Sequence, residues 1–81
     1  MSETEKRIVD ILVEIMKAKG LAIRALAPDS VLEDLGLESL DFAEAVIRLE
    51  ETTGKDPFAA GAEHNIKTLS DLAVLYDEPV A

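Results

Sequence analysis

The chain contains no cysteine and no tryptophan, and in 81 residues it has only one tyrosine, one histidine and two phenylalanines. Without cysteine there can be no disulfide, no thiolate nucleophile and no thiolate metal ligand. The lone histidine, His64, sits between Glu63 and Asn65 with no partner at metal-ligand spacing. It reads as a surface residue, and no metal site is expected. Cationic residues are scarce too: 8 Lys and Arg stand against 17 Asp and Glu, a formal net charge of −9. A small chain this acidic repels phosphate backbones and anionic lipid, so neither nucleic acid nor membrane insertion is expected. It favours basic partner surfaces, and added salt is expected to relieve its self-repulsion. No apolar run approaches a membrane span. Residues 1–5 are acidic where an export signal is basic and then apolar, so a cytoplasmic location is expected. The length suits one domain, 1–81, which buries only about 60% of its unfolded surface and has a thin core.

What is present is helical periodicity. Ser2 and Glu5 make a capping-box pattern ahead of Ile8, Ile11, Leu12, Ile15 and Met16, which fall on one helical face. Gly20, after Lys17 and Lys19, supplies a stop, so the first helix is predicted over roughly 3–19. Residues 20–38 form a long connection whose Leu21, Ile23, Leu26, Val31, Leu32, Leu35 and Leu37 are too apolar for a fully solvated loop. Pro28-Asp29-Ser30 marks a turn, and Ala22–Ala27 is read as a turn of helix. A second helix is predicted from Ser39 to Thr52 or Thr53. It has two apolar stripes: Phe42, Ala45, Val46 and Leu49, and a rotated set of Leu40, Ala43 and Ile47. Either the second stripe is a partner surface flanked by acids, or the two merge into one broad core face. Pro57 can open a short helix, or an irregular turn, through Glu63. Thr68 and Asp71 repeat the capping-box spacing before Leu69, Leu72, Ala73 and Tyr76, which predicts a last helix through about Tyr76. No stretch alternates with period two for long enough to be a strand. The expected fold is all-α: a small bundle of three main helices plus one short helix, with a long loop between the first and second helices.

The stretch with chemical content is Asp34-Leu35-Gly36-Leu37-Glu38-Ser39-Leu40-Asp41. Gly36 lets the loop turn tightly. Ser39 then falls at the helix boundary, and Asp41 in the first turn, where a carboxylate offsets the positive end of the dipole. On spacing alone Ser39 suits an N-cap. A serine hydrolase built on Ser39 and His64 lacks a strand-to-helix nucleophile elbow and a glycine-rich oxyanion loop. The chain is poorly equipped as an enzyme.

The run Leu35-Gly36-Leu37-Glu38-Ser39-Leu40-Asp41, with Glu44 five residues beyond the serine, resembles the attachment site of acyl carrier proteins. The helix order and spacing resemble that family over nearly the whole chain. The resemblance implies a four-helix carrier of fatty acid biosynthesis or other lipid metabolism, in which Ser39 bears 4'-phosphopantetheine taken from coenzyme A. The arm's thiol would hold an acyl group as a thioester, and the protein itself would catalyse nothing. A phosphodiester on Ser39 would lie by the N-terminus of the second helix, where free N–H groups favour an anion. The implied partners are a phosphopantetheinyl transferase and acyl-loading and acyl-using enzymes with basic docking patches. Leu40, Asp41, Glu44 and Ile47 would meet them, with Glu50 and Glu51 as weaker candidates; the charge, for its part, favours a monomer. The acyl chain would lie against Phe42, Ala45, Val46 and Leu49.

The chain also departs from the family pattern. Glu38 replaces the usual Asp before the serine, which bears on recognition by a general transferase. Thr53 stands where an aromatic residue usually ends the second helix, and Phe58 after Pro57 is a shifted substitute. Arg48 adds a cation to a normally acidic helix and is placed to redirect partner choice. These features suggest a specialised carrier over the main fatty-acid one. An amino-acyl carrier of the D-alanyl type and an unmodified helical interaction module are the alternatives.

Overall fold

The computed structural model describes residues 1–57 and 66–77. Among them are three α-helices, α1 (Glu3–Ala18), α2 (Ser39–Thr53) and α3 (Leu69–Asp77), and a short 3₁₀ helix, Leu32–Leu35. The short helix expected from Pro57 to Glu63 falls almost wholly outside the described residues, and with it the fourth helix. No strand forms among the described residues, only an isolated antiparallel bridge between Val31 and Thr68.

Helix α1 begins as its sequence dictates. The Ser2 hydroxyl accepts from the Glu5 N–H at 3.1 Å, and the Glu5 carboxylate accepts from the Ser2 N–H at 2.8 Å, closing the capping box. Its stripe of Ile8, Leu12, Ile15 and Met16 is buried. At the other end Gly20 is left-handed, φ 74°. This lets the Gly20 N–H reach the Lys17 carbonyl at 3.1 Å and the Leu21 N–H reach that of Met16 at 2.9 Å. The pair makes a Schellman cap, the conformation in which glycine is favoured.

The connection from Leu21 to Val31 holds no helical turn, contrary to the expectation for Ala22–Ala27. Two causes act against one. Pro28 disfavours helical backbone at Ala27. The Ala27 N–H is also claimed by the Ser30 hydroxyl at 2.9 Å, and the Ala27 carbonyl by the Ser30 N–H at 2.9 Å, which completes the turn at Pro28-Asp29. The segment serves instead as a strap over the start of α3. The Ser30 and Pro28 carbonyls accept from the N–H groups of Leu69 (3.0 Å) and Ser70 (2.8 Å), donors that a helix cannot satisfy internally in its first turn. The Leu32 N–H adds a bond to the Lys67 carbonyl at 2.9 Å. Of the apolar loop residues, Leu26, Leu32 and Leu35 are buried in the core, while Ile23 and Val31 stay exposed.

Asp71 closes the cap of α3: its carboxylate accepts from the N–H groups of Lys67 and Thr68, each at 3.0 Å, while the Asp71 N–H donates to the Thr68 hydroxyl at 3.2 Å. The expected stripe of Leu69, Leu72, Ala73 and Tyr76 is buried throughout. Helix α1 packs against both α2 and α3. Thr4 hydrogen-bonds Asp77, and the Lys55 ammonium caps α3 through the Tyr76 carbonyl at 2.6 Å. No helix of the described residues is long and apolar enough to cross a membrane.

Candidate functional site

The site forms where the 3₁₀ helix hands over to α2. Gly36 ends the 3₁₀ helix with φ 79°, the left-handed conformation that Gly reaches without a Cβ penalty. Leu37 is half-buried, and Glu38 is extended (φ −95°, ψ 168°) and occupies the N-cap position. Ser39 is therefore the first residue of the helix and not its cap. The expectation of a capping serine is corrected, and the reason lies three residues after Glu38. The Asp41 carboxylate turns back to accept from the Glu38 N–H at 2.8 Å, taking over the capping work. Ser39 is exposed, and no described residue hydrogen-bonds its hydroxyl. In this position it stands among first-turn N–H groups that precede the internal ladder of the helix.

Beside Ser39 opens a cleft of about 750 Å³. Its walls are Leu32 and Leu37 from the loop, Phe42, Ala43, Val46 and Ile47 from α2, and Ile66 and Leu72 from the α3 side, with Glu33 and Ser39 as the polar groups. A cleft of this size and lining suits a small apolar ligand or an acyl chain. Of the four residues expected to line it, Phe42 and Val46 do so. Ala45 and Leu49 do not: they are 1% and 0% exposed, sealed in the core against α1 and α3. The loop and α3 supply the opposite wall. Periodicity within one helix could not reveal that, although the apolar excess of the loop hinted at it.

The two stripes of α2 stay separate. Leu40 is 80% exposed and Ile47 54%, with Ala43 exposed between them, so the broad single core face does not exist. The acids beside this stripe are held from within. The Lys19 ammonium, at the end of α1, lies 2.6 Å from the Asp41 carboxylate and 3.9 Å from that of Glu38. The hydrogen bond to Asp41 is the main cause raising the Lys19 ammonium above its usual range. The Lys19 bond, then the Glu38 N–H, holds the Asp41 carboxyl below the usual carboxylate range. Farther along, the Arg48 guanidinium spans the two helices, 3.0 Å from Glu14 and 3.3 Å from Glu44.

Leu40, Glu44 and Ile47 thus face outward as the sequence suggested, whereas Asp41 is turned inward. Glu51 is exposed, and Glu50 is half-buried with its carboxyl pushed up by a hydrogen bond to Asp56. Lys19 was missed as a site residue because its contact spans 22 positions in sequence. Among the described residues no group of three His, Asp or Glu side chains could hold a metal ion, and His64 lies outside them.

Residues 6–73 match the family described as phosphopantetheine attachment site. The fold is similar to the solution structure of MacpD, an acyl carrier protein from Pseudomonas fluorescens involved in mupirocin biosynthesis. That similarity has a TM-score of 0.79 and 37% sequence identity, over 95% of this chain and 73% of MacpD. With an exposed serine at the head of α2 and an apolar cleft beside it, the chain belongs to the acyl carrier protein family: it is a carrier bearing 4'-phosphopantetheine, not an enzyme.

Proposed function

We propose that Ser39 is the residue that receives 4'-phosphopantetheine, and that the loaded protein holds an acyl group as a thioester for a specialised biosynthetic pathway. The observation that carries this reading is the exposed Ser39 hydroxyl, unengaged by any described residue, at the mouth of the cleft. In the transfer, the Ser39 oxygen attacks the phosphorus of coenzyme A nearest the pantetheine. The pyrophosphate P–O bond breaks, the adenosine bisphosphate departs, and the serine proton passes to a base on the transferase. The new phosphodiester is an anion at the start of α2, where first-turn N–H groups and the helix dipole favour it.

The cleft gives the acyl chain a place out of water between Phe42 and Val46 on one side and Leu32, Ile66 and Leu72 on the other. Leu40, Glu44 and Ile47 form the docking stripe, with Asp41 at its edge, and the carrier acts as a monomer within a one-domain chain. A secondary-metabolite pathway is favoured over fatty acid biosynthesis by the likeness to MacpD, a protein involved in mupirocin biosynthesis.

The test is incubation with coenzyme A and a broad-specificity phosphopantetheinyl transferase, followed by intact mass measurement. The native protein should gain one phosphopantetheine and Ser39→Ala none. Because the Ser39 hydroxyl caps nothing, the variant should keep its stability to within about 0.5 kcal/mol. A variant that still gains mass would move the attachment to another residue. The intact mass of protein from its native host then reads the acyl group directly.

A further inference from the structure

The docking stripe has an unusual electrical character. Two of the acids that border Leu40, Ala43 and Ile47 are paired with a cation of the same chain: Asp41 with Lys19 at 2.6 Å, and Glu44 with Arg48 at 3.3 Å; Glu51, at the far end, stays exposed. Arg48 is anchored in turn on Glu14 of α1 at 3.0 Å. We propose that Lys19 and Arg48 are specificity-determining residues. By neutralising the stripe from within, they fit it to partner enzymes whose docking patch is apolar and weakly charged, and against partners that dock through arginines.

This rests on the carrier reading above and deepens it. An arginine brought up to Asp41 meets a carboxylate already holding an ammonium and the Glu38 N–H, and it must displace Lys19 to make a contact of its own. At Glu44 an incoming cation meets the Arg48 guanidinium. What the stripe offers beside Asp41 and Glu44 without displacement is apolar, since Leu40 and Ile47 are more than half exposed. The overall charge of −9 still steers basic surfaces from a distance. The two internal cations act at contact range, where register and partner choice are decided.

The test uses the full chain and a transferase whose docking patch is arginine-rich. Lys19→Met and Arg48→Met each free an acid of the stripe. Lys6→Met, on α1 with its side chain exposed, makes the same change in net charge without freeing either one. Phosphopantetheinylation is followed at low and moderate salt. Lys19→Met and Arg48→Met should each lower KM about two- to fivefold at low salt, the effect of one exposed charge contact, with kcat unchanged. Each should also fall off more steeply with added salt. Lys6→Met should match the native protein.

A merely structural role for the two pairs predicts lower melting temperatures and slower modification, the opposite direction in KM. An equal gain for all three variants would assign the effect to net charge and overturn the proposal. So would no gain for Lys19→Met and Arg48→Met while the native protein is modified normally. If neither the native protein nor any variant takes up phosphopantetheine, the carrier reading itself fails, and this proposal falls with it.

Discussion

Tyr76 lies near the end of α3, 2% exposed, and its hydroxyl finds no hydrogen-bond partner among the described residues. A buried hydroxyl left unpaired costs about 1–3 kcal/mol relative to one in water. Tyr76→Phe removes that oxygen and keeps the ring, so it sacrifices little packing. The substitution should stabilise the protein by about 1 kcal/mol at pH 8, which at a typical urea slope for a small domain moves the midpoint up by about 1 M. The alkaline limb gives a second readout. Burial first, then the charges of Glu50 and Asp56, push the Tyr76 hydroxyl from its ordinary 10.0 up to about 12. The folded value lies above the unfolded one, so the contribution to stability is whole below pH 10 and is lost as pH rises towards 12. The advantage of Phe should therefore widen by roughly 1 kcal/mol at pH 11, since one unit of proton linkage is worth about 1.4 kcal/mol. Urea titrations followed by helical circular dichroism serve for both proteins, because the variant has neither Tyr nor Trp to fluoresce. A variant destabilised by 1 kcal/mol or more at pH 8 would mean that the hydroxyl is bonded in solution. Parallel alkaline limbs would refute the buried, anion-facing environment.

Leu49 is wholly buried between the helices, so Leu49→Ala should cost about 2–5 kcal/mol in urea denaturation, enough to unfold much of a marginal domain. In acid, Asp41 and Asp71 act together: both titrate below the ordinary 3.8, so they contribute stability above that value that is lost as pH falls through their folded values. Glu50 works oppositely, its raised folded value contributing only at low pH and fading as pH climbs through it. Asp71→Asn should flatten the acid limb of a melting-temperature profile, and Glu50→Gln should raise the melting temperature at neutral pH. Added monovalent salt should raise the melting temperature by screening a net charge of −9, and a flat response would show that the internal ion pairs already absorb the repulsion.

How much of this the sequence disclosed depended on the range of the interaction involved. Both capping boxes with a hydroxyl, Ser2–Glu5 and Thr68–Asp71, were legible because partners three residues apart meet by helical geometry alone. The buried stripes of α1 and α3 followed from periodicity in the same way. Ala22–Ala27 misled because helix propensity there yields to Pro28 and to the bonds that tie the strap to α3. The place of Ser39 at the helix boundary was misread, since Glu38 is an uncommon N-cap and conceals the Asp41 reach-back. The Lys19–Asp41 and Arg48–Glu14 contacts join residues 22 and 34 positions apart, and no local pattern encodes them.

Helix α2 has to be both part of the core and the wall of a cleft, and its residues divide that work. Ala45 and Leu49 are fully buried against the rest of the core, while Phe42 and Val46 are only half-buried and look into the cleft. Hydrophobic stabilisation scales with the area removed from water, so the first pair holds the fold and the second contributes less to it. The polar ties from α2 to α1, at Lys19 and Arg48, lie at the surface, where ion pairs add little to stability. The start of α3 is fixed separately, by backbone hydrogen bonds to the strap at Pro28 and Ser30. With α1 packed against both of the other helices, widening the gap between α2 and α3 disturbs Phe42 and Val46 before it disturbs Leu12 or Leu49. The cleft can therefore change volume at a smaller cost than the core.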